Sequence, residues 1–386
     1  MSDKNDTFKI IVKTHAGLEH VLAQELIELG CPEPEILVRA VSFQGNEALL
    51  YKVNYSCRTA LKVLKVVKVF SFSENNDFYK QIKSIKWENY LSADGTLAVE
   101  AIQNHSIFNN TQYIARFTKD AISDRFREKY NKRPSVDLNT PDLIINIYIY
   151  ESNCTVSLDS SGMSLHKRGY RKVNVEAPLN EVTAAGIIRL SGWSPQVNLF
   201  DPMCGSGTIT LEAAMHAMNM PGCYFRNHLA LMNWQTYDKA LFLKVKSDAD
   251  KLIKNTDARI CGADIARHNV SKATENVRFA KLNNTITIKQ SDFFATPPHF
   301  TKAFIITNPP YGERLKPTDV LDFYKNMGNT LKRNYAGYTA WLFTQHNENL
   351  KHIGLRPSRK ITLFNGKIEC KLLKFDLYEG KKKHHN

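Results

Sequence analysis

The feature that most restricts the fold of this chain is a short apolar segment that runs directly into a glycine-rich turn. Residues 197–200 (VNLF) read as a strand, residues 201–208 have the sequence DPMCGSGT, and an alanine-rich helical stretch covers residues 209–218. Gly205 and Gly207 lack a Cβ atom, so the backbone can turn sharply and lie against a ligand, with the positive end of the helix facing it. A phosphate-binding P-loop fits poorly because no Lys-Ser/Thr pair follows the turn. The segment therefore predicts a ligand-binding turn of another kind.

Two aspartates follow later predicted strands. Residues 259–263 read as a strand that ends at Asp264, and residues 285–289 read as a strand that Asp292 and Phe293 follow. A carboxylate at a strand tip can accept hydrogen bonds from ribose hydroxyls. Asp264 lies much further from the glycine turn than the roughly 20 residues of a dinucleotide-binding fold, which disfavours NAD. We expect Asp264 to hold a ribose and Asp292 an adenine amino group, with Phe293 covering the ring.

The most specific motif is Asn308-Pro309-Pro310-Tyr311, directly after the apolar strand predicted over residues 303–307. Two consecutive prolines cannot continue a strand or enter a helix, so the chain is stiff here. The Asn308 side-chain carbonyl and the Pro309 carbonyl can accept hydrogen bonds from a nucleobase amine and aim its lone pair at a methyl donor. Tyr311 can stack on the extruded base. The motif predicts methyl transfer to an exocyclic amine, with Pro310 completing the catalytic set and with orientation supplying most of the acceleration.

The first 160 residues read as strands and helices without a candidate catalytic cluster, as in a binding region. The segment 57–70 (CRTALKVLKVVKVF) is interpreted as a helix, either basic and facing RNA or buried with a solvated lysine face. The predicted strands cover residues 8–13, 38–43, 48–53, 97–102, 144–150 and 154–158, and the other predicted helices cover 17–30 and 118–132.

A formal net charge of +14 favours a polyanionic partner. Two basic segments supply candidate phosphate contacts: residues 116–133 and the polar stretch 160–175, which we interpret as a hinge into a second domain. A solvated charged surface would explain the same residues equally well. The candidate RNA-binding residues are Arg116, Lys119, Arg125, Lys132, Arg133, Lys167, Arg168 and Arg171.

The seven cysteines are scattered, and no two form a CxxC pair. This distribution disfavours a disulfide framework and a metal site, and it fits a reducing cytoplasm. The N-terminal sequence MSDKNDTFKI has no apolar core of a signal peptide, and no apolar run approaches the roughly 20 residues that span a bilayer. We expect a cytoplasmic location without a membrane partner.

Taken together, these motifs resemble a known family. DPMCGSGT, GAD at residues 262–264 and NPPYGERL at residues 308–315 resemble the class I methyltransferases that act on guanine N2. Residues 168–193 are similar to the entry segment of that group. The upstream arrangement resembles a ferredoxin-like piece followed by a THUMP domain, an RNA-binding module. The chain is thus similar to THUMP-domain class I RNA methyltransferases, in particular those of the bacterial 23S rRNA guanine-N2 type.

The resemblance implies an α/β fold: a C-terminal Rossmann-like class I methyltransferase domain with a mostly parallel seven-stranded sheet and an antiparallel final hairpin, after an N-terminal α+β ferredoxin-like and THUMP region. It implies a ferredoxin-like part at 1–54, a THUMP domain at 55–160, a linker and entry segment at 161–195 and a methyltransferase domain at 196–386. It also implies S-adenosyl-L-methionine as cofactor and RNA as partner, either 23S rRNA or a large-subunit precursor. The implied cofactor-binding residues are Asp201, Cys204, Gly205, Ser206, Gly207, Thr208, Asp264, Asp292 and Phe293.

Three alternatives remain open at this level. A tRNA guanine-N2 methyltransferase would have the same layout. A DNA adenine-N6 methyltransferase would also suit the Asn-Pro-Pro-Tyr motif, although no base-reading domain is evident after Asp201. An RNA-binding assembly factor without catalysis is disfavoured by the intact Asn308 and the two glycines of the turn.

Overall fold

The computed structural model describes residues 7–171, 178–310, 320–345, 348–366 and 368–378. The chain divides into two compact units. The first unit comprises Met1–Thr14, Ala23–Leu165 and Arg226–Ala249, and the second comprises His15–Leu22, His166–Phe225 and Asp250–Asn386. Each unit is therefore assembled from separate stretches of the sequence.

The first unit contains a mixed eight-stranded sheet. Its strands are β1 (Phe8–Lys13), β2 (Glu35–Leu37), β3 (Ala40–Gly45), β4 (Lys62–Ser71), β5 (Thr96–Asn104), β6 (Ser135–Val136), β7 (Leu143–Tyr150) and β8 (Asn153–Asp159). They are arranged in the order β2-β3-β1-β4-β8-β7-β5-β6. The helices in this part of the chain are α1 (Glu19–Glu28), α2 (Glu47–Ser56), α3 (Asn75–Lys83) and α4 (Thr111–Tyr130). The predicted α+β character of the N-terminal region is confirmed.

Asparagine caps explain two errors of the sequence prediction. Residues 48–53, expected as a strand, lie within helix α2, which begins after Asn46, whose side chain accepts a hydrogen bond from the Leu49 amide at 3.1 Å. Helix α4 begins earlier than residue 118 because Asn110 caps it in the same way, accepting from the Gln112 amide at 2.7 Å. Such caps satisfy amides that the first helical turn leaves unpaired.

Residues 57–70, expected as a helix, instead provide most of strand β4, which spans Lys62–Ser71. The segment is rich in valine, a β-branched residue that favours strands over helices. Strand β4 pairs antiparallel with β1 on one side and with β8 on the other, with a register shift between Val66 and Lys68. The lysines recur at every third position, a spacing close to that of a helix, and this led to the wrong prediction for a strand.

The second unit contains a seven-stranded sheet in the order β11-β10-β9-β12-β13-β15-β14. Its strands are β9 (Leu199–Asp201), β10 (Ile260–Asp264), β11 (Ile286–Gln290), β12 (Phe304–Thr307), β13 (Thr339–Gln345), β14 (Arg359–Asn365) and β15 (Ile368–Asp376). The later helices are α5 (Glu181–Ser191), α6 (Thr208–Ala217), α7 (Lys239–Asp250), α8 (Arg267–Phe279) and α9 (Val320–Asn334). Neighbouring strands from β11 to β13 run parallel, whereas β15 runs antiparallel to both β13 and β14. This confirms the predicted mostly parallel sheet with an antiparallel final hairpin.

Strand β9 determines where a ligand can bind. It lies between β10 and β12, and Leu199 is in register with both Ile260 and Phe304. The chain order of the strands reverses around β9, so the segments that follow the central strands diverge there. In open α/β sheets a ligand crevice forms at the carboxyl ends of the strands at such a point. Within the described residues, no helix is long and apolar enough to cross a membrane.

Candidate functional site

A cavity of about 550 Å³ lies at the carboxyl ends of the central strands of the second unit. This volume is typical of small-molecule and cofactor sites. Six residues singled out from the sequence line its wall: Gly205, Asp264, Asp292, Phe293, Asn308 and Pro310. The structure thus brings residues that are distant in the sequence to one cavity.

The glycine turn after β9 has the backbone that its sequence predicts. Gly205 has φ of +55° and Gly207 has φ of +82°, both in the left-handed region that favours glycine. The Gly207 amide donates to the Cys204 carbonyl at 2.8 Å, and α6 begins directly afterwards at Thr208. A Cβ atom at Gly207 would lie 3.4 Å from the Cβ of Ala273. The turn therefore lies close to helix α8 and presents Gly205 to the cavity.

Asp264 at the end of β10 fixes this turn. Its Oδ2 accepts a hydrogen bond from the Gly205 amide at 3.0 Å, and its Oδ1 accepts from the Ala266 amide at 2.9 Å and from Asn269 Nδ2 at 3.2 Å. The carboxylate lies on the cavity wall. An ionised carboxylate only accepts hydrogen bonds and has lone pairs beyond these three contacts. It can therefore both hold the turn and receive hydroxyl donors from a ligand.

Asp201, the last residue of β9, lies behind the turn and is only 1% exposed. Its Oδ1 accepts hydrogen bonds from Thr307 Oγ1 at 2.6 Å and from the Met203 amide at 3.3 Å. Burial raises the pKa of Asp201 to about 7, and the nearby Asp264 carboxylate contributes in the same direction. The side chain connects the glycine turn with the end of β12, one residue before Asn308.

The other residues of the turn are also buried. The Ser206 carbonyl accepts from Asn276 Nδ2 at 3.2 Å, and Thr208 Oγ1 accepts from Arg171 Nη2 at 2.9 Å. Burial raises the pKa of the Cys204 thiol well above its ordinary value, which keeps the thiol neutral. These three buried residues lie on the protein side of the turn.

Aromatic side chains occupy the part of the wall that follows β11. Phe293 is only 6% exposed and stacks on Tyr335, with ring centroids 5.4 Å apart. Its neighbour Phe294 is more exposed and meets Phe323 edge to face at 5.6 Å, and both of these rings line the cavity. Asp292 accepts a hydrogen bond from the Phe294 amide at 2.9 Å. Phe294 and Phe323 are therefore available to a flat ring, in addition to the more deeply packed Phe293.

Asn308 follows β12 directly and is half-buried on the cavity wall. Its side-chain Oδ1 is buried and has no hydrogen-bond partner within the described part of the chain. Pro309 is buried and Pro310 lies on the wall. Tyr311, the fourth residue of the predicted catalytic motif, lies outside the described residues.

Sequence reasoning missed three polar residues of the wall, which lie on the first two turns of α8: His268, Asn269 and Lys272. These residues lie near Asp264 because α8 begins only three residues after it, and one face of the helix lines the cavity. The i, i+4 spacing of His268 and Lys272, which places both on one face of a helix, was the sequence signal that could have identified them.

The predicted phosphate contact at Arg168 is wrong. Its Nε donates to Glu212 Oε1 at 3.2 Å, and neither side chain has any solvent exposure. The Tyr170 hydroxyl donates to the same carboxylate oxygen at 2.9 Å. A charge this deeply buried requires a partner, and here the partner is supplied from within the protein. Arg171 is also largely buried and pairs with Glu181 at 3.0 Å.

Several of the N-terminal cations predicted to bind phosphate are paired with carboxylates. Arg125 contacts Glu88 at 2.7 Å, and this contact contributes most to holding the pKa of Glu88 well below its usual range. Lys119 pairs with Asp120 at 2.6 Å and Lys132 with Asp94 at 3.0 Å. The remaining predicted cations, Arg116, Arg133 and Lys167, are exposed.

Among the described residues, no group of three or more His, Cys, Asp or Glu side chains is arranged to hold a metal ion.

Three family models match the chain. The model described as "RMKL-like, methyltransferase domain" matches residues 168–374. The THUMP domain model matches residues 73–159, and the RlmL ferredoxin-like domain model matches residues 9–64.

Two curated relatives are each 36% identical to the chain. A candidate RNA methyltransferase of Synechocystis sp., slr0064, aligns over 94% of this chain and 95% of its own length. The ribosomal RNA large subunit methyltransferase K/L of Syntrophotalea carbinolica aligns over 96% of this chain but only 54% of its own length. The chain thus spans about half of the K/L protein.

Two solved structures are similar over nearly the whole chain. The crystal structure of SMU.472, a candidate methyltransferase complexed with SAH, is 30% identical, covers 98% of this chain and 100% of its own, and has a TM-score of 0.88. A protein of Listeria monocytogenes described as a predicted N6-adenine-specific DNA methylase is 27% identical, covers 97% of both chains and has a TM-score of 0.86.

Proposed function

The chain belongs to the family of RMKL-like methyltransferase domains, and on this premise we propose that it methylates the exocyclic N2 amine of a guanosine in RNA, with S-adenosylmethionine as the methyl donor. The proposed target is 23S rRNA or a precursor of the large ribosomal subunit. The match to a THUMP domain and the names of the relatives from Synechocystis and Syntrophotalea support an RNA substrate.

We propose the domain boundaries expected from the sequence, with one adjustment. The ferredoxin-like match continues past residue 54 to residue 64, and the THUMP match begins at residue 73. These ranges favour a first boundary between residues 64 and 73 rather than at 54. The methyltransferase match begins at residue 168, inside the expected entry segment, and supports that segment as part of the catalytic domain.

The observation that carries the proposed chemistry is the buried Oδ1 of Asn308, which has no hydrogen-bond partner among the described residues. Leaving such an acceptor unsatisfied costs about 1–3 kcal/mol, so a ligand that brings an N–H donor is favoured here. A guanine amine is such a donor. When Asn308 accepts from it, the nitrogen is drawn towards tetrahedral geometry and its lone pair is directed into the cavity.

The remaining wall residues fit the methyl donor. S-adenosylmethionine supplies, when bound, a methyl group on a positively charged sulfur. The Gly205 backbone allows close approach, the Asp264 carboxylate can accept hydroxyl donors, and Phe294 with Phe323 offers flat surfaces to an adenine ring. Because Asn308 lies on the wall of the same cavity, the acceptor amine and the donor are held as neighbours, and orientation provides much of the acceleration.

The test compares Asn308→Ala with a matched control, Asn326→Ala, which removes an exposed amide from α9. We expect Asn308→Ala to lower single-turnover methyl transfer to 23S rRNA by about 10²–10³-fold, as for loss of one preorganised hydrogen-bonding group. The dissociation constant for S-adenosylmethionine, measured by calorimetry, should stay within about twofold for both variants. Normal turnover of Asn308→Ala would contradict the proposed role.

The modified nucleoside separates this function from its alternatives. RNA and DNA treated with the enzyme are digested and analysed by mass spectrometry. We expect N2-methylguanosine in 23S rRNA prepared from cells that lack the gene. N6-methyladenine in DNA would instead indicate a DNA adenine-N6 methyltransferase. N2-methylguanosine in tRNA alone would indicate a tRNA guanine-N2 methyltransferase.

A further inference from the structure

A cluster of exposed cations on the second unit has no role in the site described above. It consists of Lys332 at the end of α9, Lys351 in the helical turn Glu348–Ile353, Arg356 in the segment after it, and Lys360 on strand β14. All four are exposed. We infer that these residues, here called the α9 basic patch, bind the phosphate backbone of the RNA that carries the target base. This inference rests on RNA being the substrate.

The backbone brings α9 and the following segment into direct contact. A Cβ atom added to Gly328 would lie 1.7 Å from the Ile353 carbonyl oxygen, so this position requires glycine. One helical turn after Gly328, Lys332 extends over the same segment, since a Cβ atom at Gly354 would lie 3.2 Å from Lys332 Nζ. Lys332 therefore lies beside the chain that leads from Lys351 to Arg356.

Strand β14 extends the patch along the edge of the sheet. Lys360 pairs with Leu373 of β15 in the antiparallel ladder, and residues directly opposite each other point to the same face. Leu373 belongs to a buried apolar cluster with Leu331 of α9 and Ile353. Lys360 therefore lies on the face of the sheet that is covered by α9 and by the helical turn Glu348–Ile353.

The charge of the patch is not neutralised within the described part of the chain, where no carboxylate forms an ion pair with any of the four residues. Helix α4 of the first unit differs in this respect. Its Arg127 and Lys129 pair with Asp124 at 2.8 Å and with Glu88 at 2.6 Å, in addition to the pairs of Lys119 and Lys132 described above. Nearly all of the net charge of +14 lies in the second unit. An uncompensated positive surface attracts a polyanion and releases its counterions on binding.

The patch is also within reach of the cavity. Phe323, near the start of α9, lines the cavity wall, and Lys332 lies about 14 Å further along the helix axis. A strand whose target base occupies the cavity can therefore place neighbouring phosphates on the patch. This assigns to the catalytic unit a contact that the sequence suggested for the N-terminal region.

The test is a quadruple substitution of Lys332, Lys351, Arg356 and Lys360 by Gln in the full chain. Binding to a labelled RNA hairpin with an unpaired guanosine is measured by fluorescence anisotropy over a series of salt concentrations. We expect the slope of log affinity against log salt to decrease in magnitude by about 3, and the affinity at low salt to fall by more than about tenfold. The dissociation constant for S-adenosylmethionine should not change.

The matched control substitutes Lys119, Arg127, Lys129 and Lys132 of the first unit by Gln, which removes the same number of cations. We expect a salt slope within about 1 of the unmodified protein, because these residues are already paired. An unchanged slope in the α9 variant, or equal decreases in both variants, would overturn the inference. Methylation of RNA by the unmodified protein is scored separately, so its absence would count against the proposed function rather than against the patch.

Discussion

The buried carboxyl group of Asp201 leads to a prediction about stability that can be worked out from the structure. Burial holds its pKa at about 7 instead of the ordinary 3.8, so the folded protein retains a proton that the unfolded chain has released above pH 4. A raised pKa of this kind contributes stability that is present below pH 4 and lost as the pH rises through 7. The substitution Asp201→Asn removes the titration but keeps an Oδ1 that can accept from Thr307 and Met203.

The expected magnitude follows from the two pKa values. The full difference between the folded and unfolded pKa values of Asp201 corresponds to about 4 kcal/mol of unfolding free energy. Between pH 5 and pH 8 the unmodified protein should lose about 2–3 kcal/mol of unfolding free energy through this group, a loss that the variant does not share. Asp201→Asn should therefore gain stability relative to the unmodified protein over this range, by about 2–3 kcal/mol.

The assay is urea denaturation of both proteins at pH 5 and pH 8, without donor. Tryptophan fluorescence follows both units, through Trp193 and Trp341 in the second and through Trp87 and Trp234 in the first. The change in stability between the two pH values is compared between the two proteins, so that all other titrating groups cancel. A difference near zero, or one in which the variant loses more stability than the unmodified protein, would refute the reasoning that Asp201 is neutral in the folded state near pH 6.

Two further substitutions test other parts of the second unit. Glu212→Leu should lower the free energy of unfolding by about 3–5 kcal/mol in urea titrations, because it removes the carboxylate that pairs with the fully buried Arg168. As a control, Glu275→Leu at an exposed position should change this free energy by less than about 0.5 kcal/mol. Gly328→Ala should lower the free energy of unfolding by about 1–3 kcal/mol and weaken RNA binding, because its Cβ displaces the segment at Ile353 that carries part of the α9 basic patch. An RNA affinity, measured by anisotropy, equal to that of Asn326→Ala would contradict this.

The sequence predicted the strands that end at the cavity and the helix after the glycine turn well because their signals are local. The glycine turn, Asp264 and the Asn308 motif each follow an apolar strand directly, and parallel strands bring their carboxyl ends to one edge. The first unit was harder to predict. In β4 the lysines recur every third residue, which suits a helix, while the valines favour a strand, and only pairing with β1 and β8 decides between them.

Other features depend on contacts between residues far apart in the sequence. Arg168 has the sequence context of a surface cation, yet Glu212 from α6 accepts its hydrogen bond in the interior. Phe293 and Phe294 are indistinguishable by type, and packing against Tyr335 places the first of them deeper than the second. No local pattern carries such information, because the partner is selected only when the sheet and its helices assemble.

The interleaving of the two units has a consequence for how the protein is made. His15–Leu22 belongs to the second unit, and Arg226–Ala249 belongs to the first. Because a chain emerges from the ribosome in sequence order, the first unit lacks part of itself until residue 249 has been synthesised, and the earliest segment of the second unit must wait for the last strands. Neither unit can finish folding early on the nascent chain, and no single proteolytic cut releases either one intact.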